Sequence, residues 1–232
     1  MLKRSSKSMR FLMPFLFFFT SCTSRHISDD ASTKKHSSSK ARKVPCIVID
    51  AGHGGTNHGT KSVITPHTKE KTLALQTALR VQRFLEELGY RVKMTRRTDV
   101  FIPLSDRVTF AREERAMLFV SIHFNHAPSK EAQGIEVYYF KNTKSPSRTK
   151  KSCALARAIL EKTTAATGAS SRGVHHGDFH VIRETTMPAV LVEGGFLSNP
   201  QEAKRLKNPR YIRILALSIA RGIDEFMKKQ AQ

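Results

Sequence analysis

The stretch IVIDAGHGG at residues 47–55 joins a short apolar run to a histidine in a glycine-rich loop. Its first three residues are β-branched, which is typical of a strand buried on both faces of a parallel sheet. Similar apolar runs at residues 118–120 and 190–192 lead to His123 and Glu193. Each run places its polar residue at or just beyond the carboxyl end of a strand. Open α/β sheets bind and react along that edge.

Two imidazoles, from His53 and His123, and the carboxylate of Glu193 are therefore expected at one sheet edge. This combination predicts a catalytic zinc centre, in which three protein ligands leave one position open for water. The glycine-rich loop lacks the Lys-Ser/Thr pair of a P-loop, so a nucleotide site is not indicated. Spacing alone does not select the third ligand among nearby groups. The alternatives by proximity include His58, His67 and His126.

The rest of the chain alternates between strand and helix patterns. An amphipathic helix is predicted at residues 70–88 and is closed by Gly89. This alternation predicts a single α/β domain with a mostly parallel, twisted sheet of about six strands and helices on both faces. Further strands are predicted at 90–95, 135–140 and 179–182, further helices at 105–115, 152–166, from 199 and at 209–227, and loops at 141–151 and 173–178.

The amino terminus has the features of an export signal. Residues 1–22 combine a basic start with an apolar run too short to span a bilayer, and they end in a segment that resembles a bacterial lipobox at Cys22. Ordinary cleavage after Ser24 is the alternative. Residues 23–43 are rich in Ser, Lys and His and predict a disordered basic tether, which leaves 44–232 for the folded domain. We therefore expect a periplasmic protein, with membrane anchoring through a lipidated Cys22.

The formal net charge of the 232-residue chain is +21, but its basic residues are spread along the whole length. No common nucleic-acid-binding motif is present, so a specific nucleic-acid partner is not expected. The charge instead favours an anionic surface outside the cytoplasm, such as a cell-wall polymer or a lipid headgroup layer.

Several short motifs, in order along the chain, closely resemble those of the zinc-dependent N-acetylmuramoyl-L-alanine amidases of the cell-wall hydrolase type. The resemblance covers about residues 45 to 228. The motifs are IVIDAGHGG at 47–55, KEK at 69–71, TR at 95–96, Leu104 with Arg107, FVSIH at 119–123, RG at 172–173 and MPAVLVEGGF at 187–196.

The resemblance implies one zinc ion held by His53, Glu70 and His123, with Glu193 as the catalytic acid and base. It implies cleavage of the amide between N-acetylmuramic acid and the L-Ala of the peptidoglycan stem peptide, and by analogy a role in septal wall remodelling during division. We expect a monomer. Candidates for orienting ligands or contacting substrate are Asp50, Asn125 and Arg183, and the segment with His175, His176 and His180 borders the substrate groove in the family.

The sequence also departs from the family pattern at Arg112, Met117 and Phe124, of which Phe124 is expected to narrow the groove. The interval between His123 and Glu193 is too short for the inserted helix that plugs the site in some amidases. An uninhibited site is therefore predicted.

Two alternatives from other classes remain open. The first is a serine D,D-carboxypeptidase, because Ser-x-x-Lys occurs at residues 147–150 and 37–40, although its usual partner motifs are missing. The second is a non-catalytic peptidoglycan-binding lipoprotein on an amidase fold.

Overall fold

The computed structural model describes residues 44–231, so the predicted signal peptide and tether lie outside the described residues. Six strands form one sheet in the order β2-β1-β3-β6-β4-β5. The strands are β1 (Cys46–Ala51), β2 (Arg91–Met94), β3 (Leu118–Asn125), β4 (Ile135–Tyr139), β5 (Ser171–His176) and β6 (Ala189–Phe196). The helices are α1 (Glu70–Glu87), α2 (Leu104–Glu113), α3 (Pro146–Thr167), α4 (His180–Arg183), α5 (Pro200–Leu206) and α6 (Pro209–Gln230).

The sheet is mostly parallel, as predicted. Strands β2, β1, β3 and β6 run in one direction, and β4 pairs antiparallel with β6. Strand β5 is parallel to β4. The direction therefore reverses between β6 and β4, so β4 begins at the edge where β6 ends.

Both faces of the sheet are covered by helices, which explains why β1 is apolar at consecutive positions. Ile47 and Ile49 point into the larger core, to which α1, α3 and α6 contribute. Val48 points into the smaller core, to which α2 and α4 contribute. Helices α5 and α6 each begin with a proline after an asparagine cap. None of the helices between residues 44 and 231 has both the length and the apolar character needed to cross a bilayer.

Three local predictions are wrong. Residues 173–178 are mostly strand β5 rather than loop, and residues 180–183 are helix α4 rather than strand. Strand β5 lies at the sheet edge and is largely exposed, so it lacks the apolar alternation by which a strand is recognised. Val181 and Ile182, both buried in α4, form an apolar run too short to distinguish helix from strand.

The third wrong prediction concerns the segment 141–151, whose second half belongs to α3. The polar first turn of that helix conceals its periodicity, and Pro146 at its first position is the signal that identifies its start.

Candidate metal centre

His53 lies two residues beyond β1 in a backbone conformation that is unusual for a side-chain-bearing residue. Its φ is 60°, in the left-handed region. The Nδ1–H of its ring donates to Asn57 Oδ1 at 2.9 Å, which leaves Nε2 to face the centre of the site. Strained backbone of this kind is concentrated at functional sites, where the surrounding structure holds it in place.

His123 and Glu193 are direct neighbours in the sheet. The parallel pairing of β3 with β6 sets His123 opposite Glu193. His123 is the sixth of eight residues in β3 and Glu193 is the fifth of eight in β6, so both lie in the carboxyl half of their strands but before the ends that the sequence predicted.

Glu70, the first residue of α1, joins the two histidines. Its Oε1 lies 2.8 Å from His53 Nε2 and 2.9 Å from His123 Nδ1. Its Oε2 accepts the Thr60 amide at 2.9 Å, so the carboxylate is fixed at both oxygens. Burial opposes ionisation of Glu70, but the hydrogen bonds and charges of His123 and His53 prevail and hold its pKa well below the usual range.

These three side chains have the chemistry of a zinc site. One donor atom from each of His53, Glu70 and His123 lies within 4.8 Å of the others, and this is the only such group found among residues 44–231. Two imidazole nitrogens and one carboxylate oxygen match the ligand preference of catalytic zinc. The absence of side chains at Gly52 and Gly59 makes room for two of them, because a Cβ on Gly52 would come within 2.4 Å of the His123 ring and one on Gly59 within 2.5 Å of Glu70 Oε2.

Glu193 is the buried carboxylate beside this group. Its side chain is 9% exposed, and its Oε2 has no hydrogen-bond partner among the described residues. Burial raises the pKa of Glu193 well above its ordinary value, and the negative charges of Glu70 and Glu136 raise it further. It lines a cavity of about 380 Å³ together with His53, Thr60, Glu70, His123, Phe124, Asn125, His126, Phe179 and Leu191. An unpartnered acid next to three potential metal ligands is well placed to exchange a proton with a bound water.

Glu136 is a site residue that the sequence analysis missed. It lies opposite Glu193 on β4, is buried, and accepts from Tyr138 Oη at 2.9 Å and Arg172 Nε at 2.9 Å. Asn125 Nδ2 also donates to Glu136 and so connects this carboxylate to the cavity that Asn125 lines. The sequence did contain a signal for this residue. Glu136 is a charged residue in the otherwise uncharged strand β4, and a buried charge needs a partner.

Asp50 does not contact the ring of His53. Its carboxylate accepts from Thr95 Oγ1 at 2.6 Å, Arg107 Nη1 at 2.7 Å and Ser121 Oγ at 2.7 Å. Arg107 Nη2 donates in turn to the backbone oxygen of His53 at 2.7 Å. Asp50 therefore does not orient the His53 ring directly, and it is connected to His53 through the guanidinium of Arg107.

Arg183 is not among the residues that line the cavity. It lies on α4 and forms ion pairs with Asp178 at 2.6 Å and Glu184 at 2.7 Å. None of the alternative histidines joins the group of potential ligands either. His67 Nδ1 bonds the Ser62 carbonyl, and His126 is exposed at the cavity rim. His175 Nε2 contacts the Arg172 carbonyl at 2.8 Å.

Of the three departures from the family pattern, only Phe124 reaches the cavity. Its ring is buried and packs against Gly194. Met117 is 49% exposed, and Arg112 is exposed on α2.

Comparison with known proteins gives one consistent result. A family model described as N-acetylmuramoyl-L-alanine amidase matches residues 47–225. The N-acetylmuramoyl-L-alanine amidase AmiC of Neisseria meningitidis is 35% identical over 79% of this chain and 53% of its own length. The sporulation-specific N-acetylmuramoyl-L-alanine amidase of Bacillus subtilis is 34% identical over 77% of this chain and 67% of its own.

The fold has a close structural counterpart. The catalytic domain of CwlV, an N-acetylmuramoyl-L-alanine amidase from Bacillus (Paenibacillus) polymyxa, aligns with a TM-score of 0.73 and 39% identity. The alignment covers 80% of this chain and 99% of that structure. The chain spans between about half and two thirds of the length of the curated relatives that it matches.

Proposed function

Because the chain belongs to the N-acetylmuramoyl-L-alanine amidase family, we propose that it hydrolyses the amide between N-acetylmuramic acid and the L-Ala of the peptidoglycan stem peptide. One observation carries this proposal. The donor atoms of His53, Glu70 and His123 converge beside a buried, unpartnered Glu193. Three ligands and an adjacent acid are what metal-assisted amide hydrolysis requires.

His53 Nε2, Glu70 Oε1 and His123 Nδ1 are the proposed ligands of a single zinc ion. When bound, zinc supplies a Lewis acid that acidifies water and polarises the scissile carbonyl. Asn57 keeps the proton of His53 on Nδ1, so that Nε2 presents its lone pair to the metal.

Glu193 is the proposed acid and base. As a carboxylate it takes a proton from the water that attacks the lactyl carbonyl, and as a carboxylic acid it returns that proton to the nitrogen of L-Ala when the C–N bond breaks. The high pKa of Glu193 favours its holding the proton between these two steps. The products are a muramic acid carboxylate and a free stem peptide.

Asn125 lies two residues beyond His123, lines the cavity and is proposed to contact the substrate. We further propose that the site is open without an activator. The interval between His126 and Leu191 contributes only Phe179 to the cavity lining, and no residue of α3 or α4.

The relatives named cell-wall amidases suggest a location in the cell envelope. We propose export through the signal at residues 1–22, a periplasmic site of action, anchoring by lipid on Cys22, and participation in septal wall remodelling.

Processing of metabolically labelled protein tests the anchoring. Incorporation of labelled fatty acid that is lost in Cys22→Ala supports it, whereas an unlabelled protein that begins after Ser24 contradicts it.

The direct test of the activity is mass spectrometry of purified peptidoglycan after incubation with the protein. We expect free stem peptides that begin with L-Ala, formed with zinc and absent with a chelator. Glu193→Gln should bind zinc as the natural protein does and lose about 10²-fold or more in rate. Undiminished activity of Glu193→Gln would contradict the role of this residue.

The serine-peptidase alternative gains no support from position. Ser147 and Lys150 are both exposed in the first turn of α3, and neither lines the cavity that contains Glu193. The same mass spectra distinguish this alternative, because a carboxypeptidase removes only a terminal D-Ala and does not require the metal.

A further inference from the structure

A second cavity, of about 670 Å³, lies where β4 leads into α3. Its floor includes apolar atoms of Tyr139, Pro146 and Ala154, and its rim includes the cationic side chains of Lys141, Lys150 and Arg157. None of its lining residues also lines the cavity of the candidate metal centre.

The chain segment that lines this cavity is basic and contains no acid between Glu136 and Glu161. Residues 137–160 include six Lys or Arg residues and no Asp or Glu. One of the six, Arg148, is buried and donates to backbone carbonyls, including Met187 O at 3.0 Å. The other five are exposed, and we call them the basic corner: Lys141, Lys144, Lys150, Lys151 and Arg157.

The cations of the basic corner form no ion pairs within the described part of the chain, although Arg157 lines a neighbouring cavity with Glu161 and Glu225. No acidic side chain of residues 44–231 lies within 4.0 Å of any of these five cations. Elsewhere the pattern differs, because Lys162, Lys228 and Lys229 on α3 and α6 each pair with an acid. The basic corner therefore presents a local positive field above an apolar floor, which suits an anionic amphiphile.

The topology places the basic corner on the side of the sheet opposite the metal centre. Because β4 is antiparallel to β6, Tyr139 at the end of β4 lies opposite Val190, near the start of β6. Glu193 and His123 lie toward the other end. Glu193 follows Val190 by three residues, so the two sites are separated by about 10 Å along β6.

The chain enters the domain at the same edge as the basic corner. Val44 directly precedes β1, whose first residues lie level with the starts of β3 and β6. The 43 residues before Val44 contain the apolar run and Cys22. The amino-terminal segment therefore joins the domain at the edge of the basic corner and not at the edge of the metal centre.

We propose that the basic corner binds the headgroups of anionic phospholipids. Phosphates pair with Lys141, Lys150 and Arg157 at the rim, and the glycerol region rests on the apolar floor. Docking in this way turns the edge that carries His53 and Glu193 toward the cell wall. A wall polymer is the less favoured occupant, because the substrate glycan is bound at the opposite edge. This inference concerns a second site, and only its preference for a lipid over a wall polymer rests on the proposed amidase function.

Vesicle binding tests the proposal with residues 44–232. These residues contain every strand and helix described here, and the matching catalytic domain of CwlV has been solved. Co-sedimentation is measured with phosphatidylcholine vesicles that contain phosphatidylglycerol and with vesicles of phosphatidylcholine alone. One Lys or Arg near an anionic surface contributes about fivefold to partitioning. The triple variant Lys141→Gln, Lys150→Gln, Arg157→Gln removes the three cations that line the cavity and should bind about 10²-fold more weakly to the anionic vesicles.

The matched control is Lys204→Gln, Arg205→Gln, Arg210→Gln, which removes the same charge from exposed positions in α5 and the start of α6. The proposal predicts that this control retains most of its vesicle binding, and that both variants retain the thermal unfolding midpoint and hydrolyse a soluble muropeptide at the rate of the natural protein. If both variants lost vesicle binding equally, the binding would depend on the total charge of the protein and not on a site at the basic corner, which would overturn the proposal. Undiminished vesicle binding with lost binding to purified sacculi would assign the basic corner to a wall polymer and overturn the proposal.

Discussion

At the residue scale, the position of the His123 ring depends on the absence of a side chain at Gly52. A Cβ there would lie 2.4 Å from two ring atoms, and the φ of Gly52 is not in the left-handed region, so the conflict is purely steric. Gly52→Ala should therefore displace a proposed zinc ligand while the backbone stays compatible with alanine.

We expect Gly52→Ala to lower kcat/KM by about 10²-fold, because a displacement of about 1 Å near the reacting groups has an effect of that size. Zinc affinity should fall with it, measured by competition with a chromophoric chelator. Gly168→Asn is the control, since open space surrounds Gly168 and asparagine tolerates its left-handed conformation. Equal activity of Gly52→Ala and the control would show that the His123 ring can move without loss.

Asp50 is the second residue whose side chain has a large effect, in this case on the stability of the fold. Burial opposes its ionisation, but Arg107, Thr95 and Ser121 hold the pKa of Asp50 below its usual 3.8. A lowered pKa contributes stability that is present above about pH 4 and is lost as the pH falls through the folded-state value. The ionised Asp50 therefore stabilises the fold at neutral pH and stops doing so in acid.

Asp50→Asn leaves Arg107 without its buried counter-charge and should reduce the free energy of unfolding at pH 7 by about 3 kcal/mol. Below pH 4 the difference from the natural protein should shrink, which denaturant titrations at several pH values would measure. The exposed Asp106 provides the control variant Asp106→Asn, which we expect to be near neutral. A difference that does not change with pH would contradict this account.

At the element scale, the antiparallel pairing of β4 with β6 brings a second buried acid to Glu193. The two carboxylates of Glu136 and Glu193 are opposite each other in the register, and the charge of Glu136 is one cause of the high pKa of Glu193. A parallel β4 would have placed its first residues at the far edge of the sheet. The reversal of direction at this strand is thus part of the construction of the site.

Glu136→Gln removes that charge and should lower the pKa of Glu193. Because Glu193 must be ionised to accept a proton, the acidic limb of the kcat/KM profile should move to lower pH. Glu131→Gln, at an exposed position just before β4, serves as the control and should leave the limb in place. If the acidic limb of the kcat/KM profile lies at the same pH in Glu136→Gln as in the natural protein, Glu136 serves only to hold Arg172 and Tyr138.

At the scale of the whole molecule, the three proposed zinc ligands belong to parts of the chain that are far apart in sequence. His53 follows β1, Glu70 begins α1 and His123 lies in β3. A metal ion bound by all three links these elements in the folded state and has no such set of ligands in the unfolded chain. Binding should therefore stabilise the entire domain.

Zinc at a thousandfold excess over its Kd should stabilise the domain by about 4 kcal/mol. For a domain of this size, that corresponds to a Tm about 10 °C higher with zinc than with a chelator, measured by calorimetry. His123→Ala should abolish the difference, whereas His126→Ala, at an exposed neighbouring position, should retain it. The same zinc-dependent shift in both variants would contradict the proposed ligand set.

The sequence alone was sufficient for the fold class and for most elements. Apolar runs such as 47–49 and 190–192 identify buried strands because burial on both faces demands consecutive apolar residues, and the amphipathic pattern of α1 follows from burial on one face. His53, His123 and Glu193 could be grouped by the same logic, since the ends of neighbouring parallel strands meet at one edge. Glu70 was reached only through family resemblance, because the start of a helix does not reveal which strand it faces.

The tertiary structure decided what depends on contacts between distant parts of the chain. It showed that Asp50 pairs with Arg107 rather than with His53, that Glu136 lies opposite Glu193, and that Arg183 bonds its own neighbours on and around α4. It also placed the basic corner and the metal centre at opposite edges of the sheet, through the reversed direction of β4. Local composition determines which residues are buried in strands and helices, but strand order and direction determine which polar groups meet, and these arise from packing of the whole chain.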